Sequence, residues 1–181
     1  ADLDHAVAVG LSGGADSLAL MAALVAEGHD VLALCVDHGL QDGSRAQAER
    51  AAEQARTLGA RAQVLSVEAG AGAAAGAESM EAAARAARYR ALAAACADEG
   101  LEVAVAHTAD DQAETLLLGA LRGRVTGMSE RSEVEGARVV RPLLGVRRAD
   151  TEGACAELGL SAWRDPQNED TNFRRVAPVS Y

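Results

Sequence analysis

Three clusters of polar residues in this sequence combine side chains that could bind phosphates, metal ions or amines. The first, SGGADS, runs from Ser12 to Ser17 and contains two glycines, two hydroxyls and one carboxylate. The second, VDHGLQDGS, begins at Val36, and the third, HTADDQAET, begins at His107. Glycine-rich loops with hydroxyls favour anions, whereas clustered carboxylates favour divalent cations or ammonium groups.

The SGGADS segment has the composition of a phosphate-binding loop. Gly13 and Gly14 lack the Cβ atoms that would obstruct an anion, and Ser12 and Ser17 add hydroxyl donors. A helix that begins near Asp16 would direct unpaired N–H groups at the same point. The carboxylate of Asp16 would then either cap that helix or bind a Mg²⁺ ion that bridges the phosphates. The alternative interpretation is an ordinary left-handed turn followed by polar caps.

The HTADDQAET segment places three carboxylates at a predicted helix start. Asp110 and Glu114 are four residues apart and share a helix face, with Asp111 beside them. These acids could hold a metal ion or an amine. Thr108 and Asp111 also fit a capping box, which needs no ligand. His107 has a structural alternative as well, as a packed histidine bonded to a neighbouring carbonyl.

The elements that must position these clusters alternate between short apolar runs and helical periodicity. This alternation predicts an α/β fold: a doubly wound, five-stranded parallel sheet of the Rossmann-like type, in the order 3-2-1-4-5. Ligands bind such sheets beyond the carboxyl ends of the strands, where all three clusters fall. The predicted strands are Ala6–Ser12, Asp30–His38, Ala60–Glu68, Glu102–Thr108 and Ala137–Leu144, and the predicted helices are Ala15–Gly28, Asp42–Gly59, Glu78–Gly100, Ala109–Gly123 and Arg147–Leu158.

Composition excludes several classes of function. The chain has 181 residues and a formal charge of -10, and all 17 basic residues are arginine. The absence of lysine excludes the lysine-dependent nucleotide P-loop, and the acidic balance argues against non-specific binding to nucleic acid. The three cysteines form no paired motif of a zinc or iron–sulfur site. No apolar run is long enough for a membrane span, so we expect a cytoplasmic protein.

Arginines elsewhere could form a local anion-binding surface. Arg85, Arg88 and Tyr89 follow Glu81 on the predicted long helix, where a solvated face with an ion pair between Glu81 and Arg85 is the alternative. Arg141 ends a predicted strand and could bind phosphate with two hydrogen bonds.

The end of the chain combines aromatic residues with arginines. Trp163 and Phe173 lie near Arg174 and Arg175, a combination that could stack on and pair with RNA. Plain packing of Trp163 is the alternative.

The motifs together resemble a known family. SGGADS matches the S-G-G-x-D-S loop of the PP-loop ATP pyrophosphatases, which adenylate their substrates. The segments VDHGL, EAAARAARY, AHTADDQAET, RPLL and WRDPQNEDTNFRR narrow the resemblance to the catalytic domain of the bacterial tRNA(Ile)-lysidine synthetases. These enzymes use ATP to adenylate the C2 oxygen of the wobble cytidine of tRNA(Ile), and free L-lysine then displaces AMP at C2.

The resemblance implies a role for each candidate residue. The catalytic acids would be Asp16, Asp110, Asp111 and Glu114, with Mg²⁺ held by Asp16 and Asp111. ATP and pyrophosphate would contact Ser12, Gly13, Gly14, Ala15, Asp16, Ser17, Val36, Asp37 and His38. Lysine and tRNA would contact His107, Arg85, Arg88, Tyr89, Arg141, Arg174 and Arg175.

The resemblance also implies a domain organisation. We expect one PP-loop domain over residues 1–181, whose last part, from about residue 161, leads into a helical tRNA-binding domain outside this sequence. The expected partners are ATP, free L-lysine and tRNA(Ile), with a homodimer as one option. Another tRNA-modifying PP-loop enzyme and a non-catalytic ATP-binding module are the alternative functions.

Overall fold

A computed structural model describes residues 3–37, 39, 43–67 and 77–163 of the chain. None of the helices within these residues is long and apolar enough to cross a membrane. The strands are β1 (Ala6–Gly10), β2 (Asp30–Asp37), β3 (Arg61–Ser66), β4 (Val103–Ala104), β5 (Arg131–Val134) and β6 (Ala137–Val140), and the helices are α1 (Ala15–Ala26), α2 (Ser44–Thr57), α3 (Ala77–Cys96), α4 (Ala109–Leu121) and α5 (Arg148–Glu157).

The strands form one sheet in the order β3-β2-β1-β4-β6-β5. The first five strands in that order pair in parallel, which confirms the doubly wound sheet and the predicted order, with β6 as the fifth predicted strand. Strand β4 is shorter than predicted, since it ends at Ala104 rather than Thr108.

One edge strand, β5, is an addition to the predicted five. It pairs antiparallel with β6 through a two-residue turn. Glu135 and Gly136 in this turn both have positive φ, of 50° and 82°, as a tight hairpin that follows the twist of its strands requires. Alternate β5 residues are exposed, so the strand lacks the continuous apolar run that identifies the buried strands.

The core has two halves because helices cover both faces of the sheet. Val7 and Val9 of β1 pack with buried residues of α1, α2 and α5, including Leu18, Ala52 and Cys155. Ala8, Leu32 and Leu34 point to the opposite face, where they pack with residues of α3 that include Tyr89 and Leu92. Burial on both faces explains why β1 and the interior of β2 are apolar instead of alternating.

The chain changes direction in the sheet between β1 and β4. It first moves outward from β1 to β2 and β3, then returns to the other side of β1 at β4. Ala8 and Val9 pair with Val103 and Ala104, so the carboxyl ends of β1 and β4 lie side by side. Ligands of doubly wound sheets bind at such a switch point, and the segments after β1 and β4 are the glycine loop and the acidic cluster.

Candidate functional site

The loop after β1 is held by its own hydroxyl groups. The Ser17 hydroxyl donates to the Gly14 carbonyl at 3.0 Å and accepts the Ser12 N–H at 3.2 Å. The Ser12 and Ser17 oxygens lie 3.1 Å apart, and Ser12 Oγ accepts the Gly14 N–H at 3.3 Å. The loop is therefore a closed ring of hydrogen bonds before any ligand enters.

The start of α1 leaves its backbone donors available to an anion. Its N-cap is Gly14, which has no side chain to accept them, and the helical bond from Leu18 N–H to the Gly14 carbonyl is 3.0 Å long. The first N–H groups of a helix have no partner within the helix, and its positive dipole end favours negative charge. Asp16 does not cap this helix, so its carboxylate has another purpose.

The backbone conformation at position 13 favours glycine. Gly13 has φ of +83°, a left-handed conformation, and a Cβ there would lie 2.8 Å from Gln47 Nε2. Its carbonyl accepts the backbone N–H of Trp163 at 2.9 Å, which brings the segment after α5 back to the loop. Gly14 has an ordinary φ of -72°, and a Cβ there would meet only Ser12 Oγ at 3.5 Å.

Asp37, the last residue of β2, contacts the start of α2. The Asp37 carboxylate, 8% exposed, accepts the Gly39 N–H and the Ser44 hydroxyl, which ties the end of β2 to the start of α2. Val36 is partly buried at the end of the same strand. His38, the third residue predicted here, lies outside the described residues.

Asp111 has a different role at each of its two carboxylate oxygens. Oδ2 accepts the backbone N–H of Thr108 at 2.7 Å and its hydroxyl at 2.8 Å, which confirms the predicted capping box of α4. Oδ1 faces away from the cap and accepts Nη2 of Arg148 at 2.6 Å. The capping and the functional interpretation of Asp111 are thus compatible.

Arg148, at the start of α5, links the two predicted metal-binding acids. Its Nε lies 3.5 Å from Asp16 Oδ2, while the other Asp16 oxygen accepts the buried hydroxyl of Thr151. Burial lowers the pKa of Arg148, but the carboxylates of Asp111, Asp16, Glu114 and Asp110 raise it by more. One guanidinium therefore lies within reach of carboxylates from α1 and α4.

Asp16 and Asp111 are the carboxylates that could hold a magnesium ion at this site. Within the described residues, no group of three or more His, Cys, Asp or Glu side chains could hold a metal ion. Magnesium in nucleotide sites typically uses one or two carboxylates together with phosphate oxygens and water. Arg148 already occupies the space between the two acids as a cation, so their positions suit one shared positive charge.

The other two acids of the cluster differ from Asp111. Asp110 Oδ2 accepts the backbone N–H of Arg148 at 2.8 Å, so it caps α5 from the neighbouring helix. Glu114 is exposed, one turn further along α4 on the same face as Asp110. The geometry thus separates Asp111, which faces Asp16 across Arg148, from the more exposed Asp110 and Glu114.

His107 is a neutral hydrogen-bond partner of Arg141. Burial, and after it the charge of Arg141, lowers the pKa of His107 to about 4. Nδ1 accepts Nε of Arg141 at 3.2 Å, so the proton of the neutral ring lies on Nε2. Arg141 is 6% exposed, and its Nη1 donates to the Ser129 carbonyl and the Ser132 hydroxyl. Arg141 therefore fixes the orientation of His107 and anchors it to β5.

The predicted arginines of α3 are held over a buried ring. Tyr89 is 1% exposed and belongs to the core, so its own ring is not a contact surface. The guanidinium groups of Arg85 and Arg88 lie 5.1 and 5.3 Å from the centre of that ring, a cation–π geometry. Both arginines also contribute to the lowered pKa of His107, which places their charge near the end of β4.

Some of the predicted residues lie outside the described part of the chain. They are His38, Phe173, Arg174 and Arg175, together with the side chain of Glu81, the alternative partner of Arg85. Two residues of the site were not predicted, Arg148 and Thr151. Helical spacing places both on one face of α5, three residues apart, which is the signal that the sequence offers.

The solved structures that share this fold have low sequence identity to this chain. A U34-tRNA thiolase from Methanococcus maripaludis matches with a TM-score of 0.69 and 20% identity, over 89% of this chain and 59% of that one. An NH3-dependent NAD synthetase from Campylobacter jejuni matches with a TM-score of 0.61 and 20% identity, over 95% of this chain and 68% of that one. These likenesses establish the fold alone.

Curated relatives are much closer in sequence. Proteins named tRNA(Ile)-lysidine synthase are 55% identical to the chain in Corynebacterium glutamicum, over 97% of this chain, and 57% identical in Corynebacterium diphtheriae, over 94%. The chain spans about half the length of these relatives, 53% and 54% respectively. The resemblance identified from the motifs is confirmed by these matches.

A family model described as a PP-loop domain matches residues 2–177, which is nearly the whole chain. The match includes the glycine loop after β1 and the acidic cluster after β4. Those two segments meet at the switch point of the sheet. The chain therefore belongs to the PP-loop domain family.

Proposed function

We propose that this chain is the ATP-using domain of a tRNA(Ile)-lysidine synthase. The observation that carries the proposal is the pairing of Asp16 and Asp111 with one guanidinium, that of Arg148, beside an open helix N-terminus, in a chain 55% identical to relatives of that name. Such a site combines donors for phosphate with acids for a cation. The reaction joins free L-lysine to C2 of the wobble cytidine of tRNA(Ile), at the cost of ATP.

The first step is an adenylation. The C2 oxygen of cytidine attacks the α-phosphorus of ATP, an O–P bond forms, and the bond between the α-phosphorus and the bridging oxygen breaks. Pyrophosphate leaves with the bridging oxygen. This step needs hydrogen-bond donors where negative charge develops on the leaving group.

The loop Ser12–Ser17 is suited to hold the leaving pyrophosphate. The N–H groups at the start of α1 and the hydroxyl of Ser12 would donate to its oxygens, while the ring of hydrogen bonds keeps the loop in shape. Asp16 and Asp111 would hold the magnesium ion that accompanies ATP. That ion supplies neutralisation of phosphate charge when it is bound.

The second step is the substitution of AMP by lysine. The ε-amine attacks C2 of the adenylated cytidine, a C–N bond forms, the C2–O bond breaks, and AMP leaves; the amine loses a proton. The exposed acids Asp110 and Glu114 would attract the lysine ammonium to the site. Neutral His107 would donate a hydrogen bond from Nε2 to a substrate oxygen.

The arginines near the end of β4 give the acidic chain a local site for RNA or for the lysine carboxylate. Arg85 and Arg88 are stacked on one ring, and Arg141 lies behind His107. Tyr89 would act only through the two arginines above it. Arg174 and Arg175 would extend this surface, and the adenine would lie near Val36, Asp37 and His38.

Transfer of radiolabelled lysine to tRNA tests the proposal. The assay uses a protein that contains this chain within the full length of its relatives, with ATP, Mg²⁺ and a tRNA(Ile) transcript that has the anticodon CAU. We expect lysine in the tRNA and one pyrophosphate released for each lysine bound. The same transcript with a wobble uridine is the matched control and should accept no lysine. Turnover of ATP with a different acceptor, without lysine transfer, would contradict the proposal.

A further inference from the structure

Arg148 connects three helices through its side chain and its backbone. Its Nη2 donates to Asp111 of α4 at 2.6 Å, and its Nε lies 3.5 Å from Asp16 of α1. Its own N–H, at the start of α5, donates to Asp110 at 2.8 Å. No other guanidinium in the described part of the chain is paired with acids from two other helices that both flank the switch point.

The ion pairs of Arg148 are too exposed to be explained by stability alone. The Arg148 side chain is 35% exposed, and those of Asp16 and Asp111 are 24% and 25% exposed. Pairs at such exposure contribute little to the free energy of unfolding, because water screens them. Without a cation, however, two carboxylates that face the same point would repel each other.

We propose that Arg148 is a competing cation that pairs with the carboxylates of Asp16 and Asp111 and is displaced from them by the divalent cation that enters with ATP. The inference rests on the metal-binding part of the proposed function. A guanidinium carries one positive charge and a divalent cation carries two, so the cation neutralises both carboxylates where Arg148 leaves one negative charge.

Displacement has a consequence that can be measured without catalysis. If Arg148 and the metal ion compete for the same carboxylate oxygens, removal of the guanidinium should strengthen binding of a metal ion alone. A purely structural ion pair predicts the opposite, since loss of Arg148 would loosen the contact of α5 with α1 and α4 and spread the two acids.

The test measures Mn²⁺ binding to the chain without ATP, from the free Mn²⁺ signal in electron paramagnetic resonance. Mn²⁺ prefers the same oxygen ligands as Mg²⁺. Arg148→Met should bind Mn²⁺ about tenfold more tightly than the unsubstituted chain, because a competing positive charge in contact with both acids is gone. Arg148→Gln, which keeps a polar side chain, should give the same gain and replaces the methionine variant if that one does not fold.

Two control variants test whether Mn²⁺ affinity depends on a positive charge in contact with the two acids. Arg147→Met removes a positive charge from the exposed neighbouring position and should change Mn²⁺ affinity by less than about twofold, since water screens a charge not in contact with the acids. Arg148→Lys keeps a competing charge and should return the affinity toward that of the unsubstituted chain. Equal or weaker Mn²⁺ binding by Arg148→Met and Arg148→Gln would overturn the proposal.

Asp16→Asn separates this inference from the proposed function. It should weaken Mn²⁺ binding both alone and combined with Arg148→Met. If Asp16→Asn leaves binding unchanged, the metal assignment in the proposed function is wrong and the role of Arg148 falls with it. If Asp16→Asn abolishes binding while Arg148→Met brings no gain, only the role of Arg148 is wrong.

Discussion

Helices α1 and α4 begin beside each other at the carboxyl ends of neighbouring parallel strands, yet their N-termini are built differently. The N-cap of α1 is Gly14, whose own N–H bonds to Ser12 Oγ, and no side chain caps the first-turn N–H groups of the helix. The N-cap of α4 is Thr108, which forms a capping box with Asp111. The same position in the fold thus supports one open helix end and one closed end.

The two helix ends therefore favour ligands of opposite charge. An open N-terminus attracts anions through its unpaired N–H groups and its dipole. At the capped end of α4, the box between Thr108 and Asp111 satisfies backbone N–H groups, and the second oxygen of Asp111 faces a cation, Arg148. Phosphate at α1 and positive charge between α1 and α4 are the combination that a metal–nucleotide complex needs.

The largest expected effect is on ATP affinity, and it comes from a Cβ atom added at Gly14, the N-cap of α1. Gly14→Ala should keep the stability of the chain, because its φ of -72° suits alanine and the nearest atom would be 3.5 Å away. The added methyl group would nevertheless occupy space beside the N–H groups of α1, so we expect ATP affinity to fall about tenfold or more, the loss of one charge-assisted hydrogen bond. Calorimetric titration with ATP and Mg²⁺ measures the affinity.

Gly13→Ala is the matched comparison for Gly14→Ala. It forces alanine into the left-handed conformation, at a cost of about 1–2 kcal/mol, and pushes on Gln47. We expect a lower free energy of unfolding together with weaker ATP binding. If both variants bind ATP as the unsubstituted chain does, the open end of α1 is a turn and not a phosphate site.

The fold was predictable from the sequence because its signals are local. Apolar runs mark strands buried on both faces, and the parallel topology alone brings the segments after β1 and β4 to one edge. The sequence analysis did not predict the edge strand β5, because its residues alternate in exposure. The dipeptide at Glu135 and Gly136 is the one local signal of its hairpin. Half-exposed short strands have no such continuous pattern.

The contacts within the site could not be predicted in the same way. The cluster of acids on α4 was found from spacing, and the capping box of Asp111 follows from four consecutive residues. The pairing of Arg148 with Asp16 and Asp111 depends on how three helices pack, which no local pattern encodes. Burial likewise decides that Tyr89 supports two arginines from within the core.

A smaller effect, on the free energy of unfolding, is expected when the capping box of α4 is weakened. Thr108→Val removes the hydroxyl that Asp111 accepts, while the backbone N–H of residue 108 still reaches the same carboxylate oxygen. Loss of an N-cap side chain costs about 1 kcal/mol, which urea denaturation can measure as a lower midpoint at an unchanged slope. Thr57→Val is the control: it removes an exposed hydroxyl from the last turn of α2 and should cost less than about 0.5 kcal/mol.

The smallest effect on stability at neutral pH is expected at His107, which lies just before α4. The pKa of His107 is lowered to about 4 by burial and then by Arg141, while Asp111 opposes this shift. Between that value and the unfolded pKa, about 6.5, the unfolded chain binds more protons than the folded one. His107 therefore lowers stability as the pH falls from about 6.5 to about 4, and has no such effect above that range.

His107→Asn tests this titration, because the amide oxygen of asparagine can still accept Nε of Arg141. We expect stability similar to that of the unsubstituted chain at pH 7 and a smaller loss of stability toward pH 4.5. The slope of the free energy of unfolding against pH should fall by the equivalent of up to one bound proton. Urea denaturation across this range measures the slope, and the histidine ring signal in nuclear magnetic resonance gives the pKa directly. An unchanged slope, or a His107 signal that titrates near 6.5, would mean that the ring is solvated and free to turn. The capped end of α4 would then lack the fixed Nε2 donor, and the contrast with α1 would reduce to the cap alone.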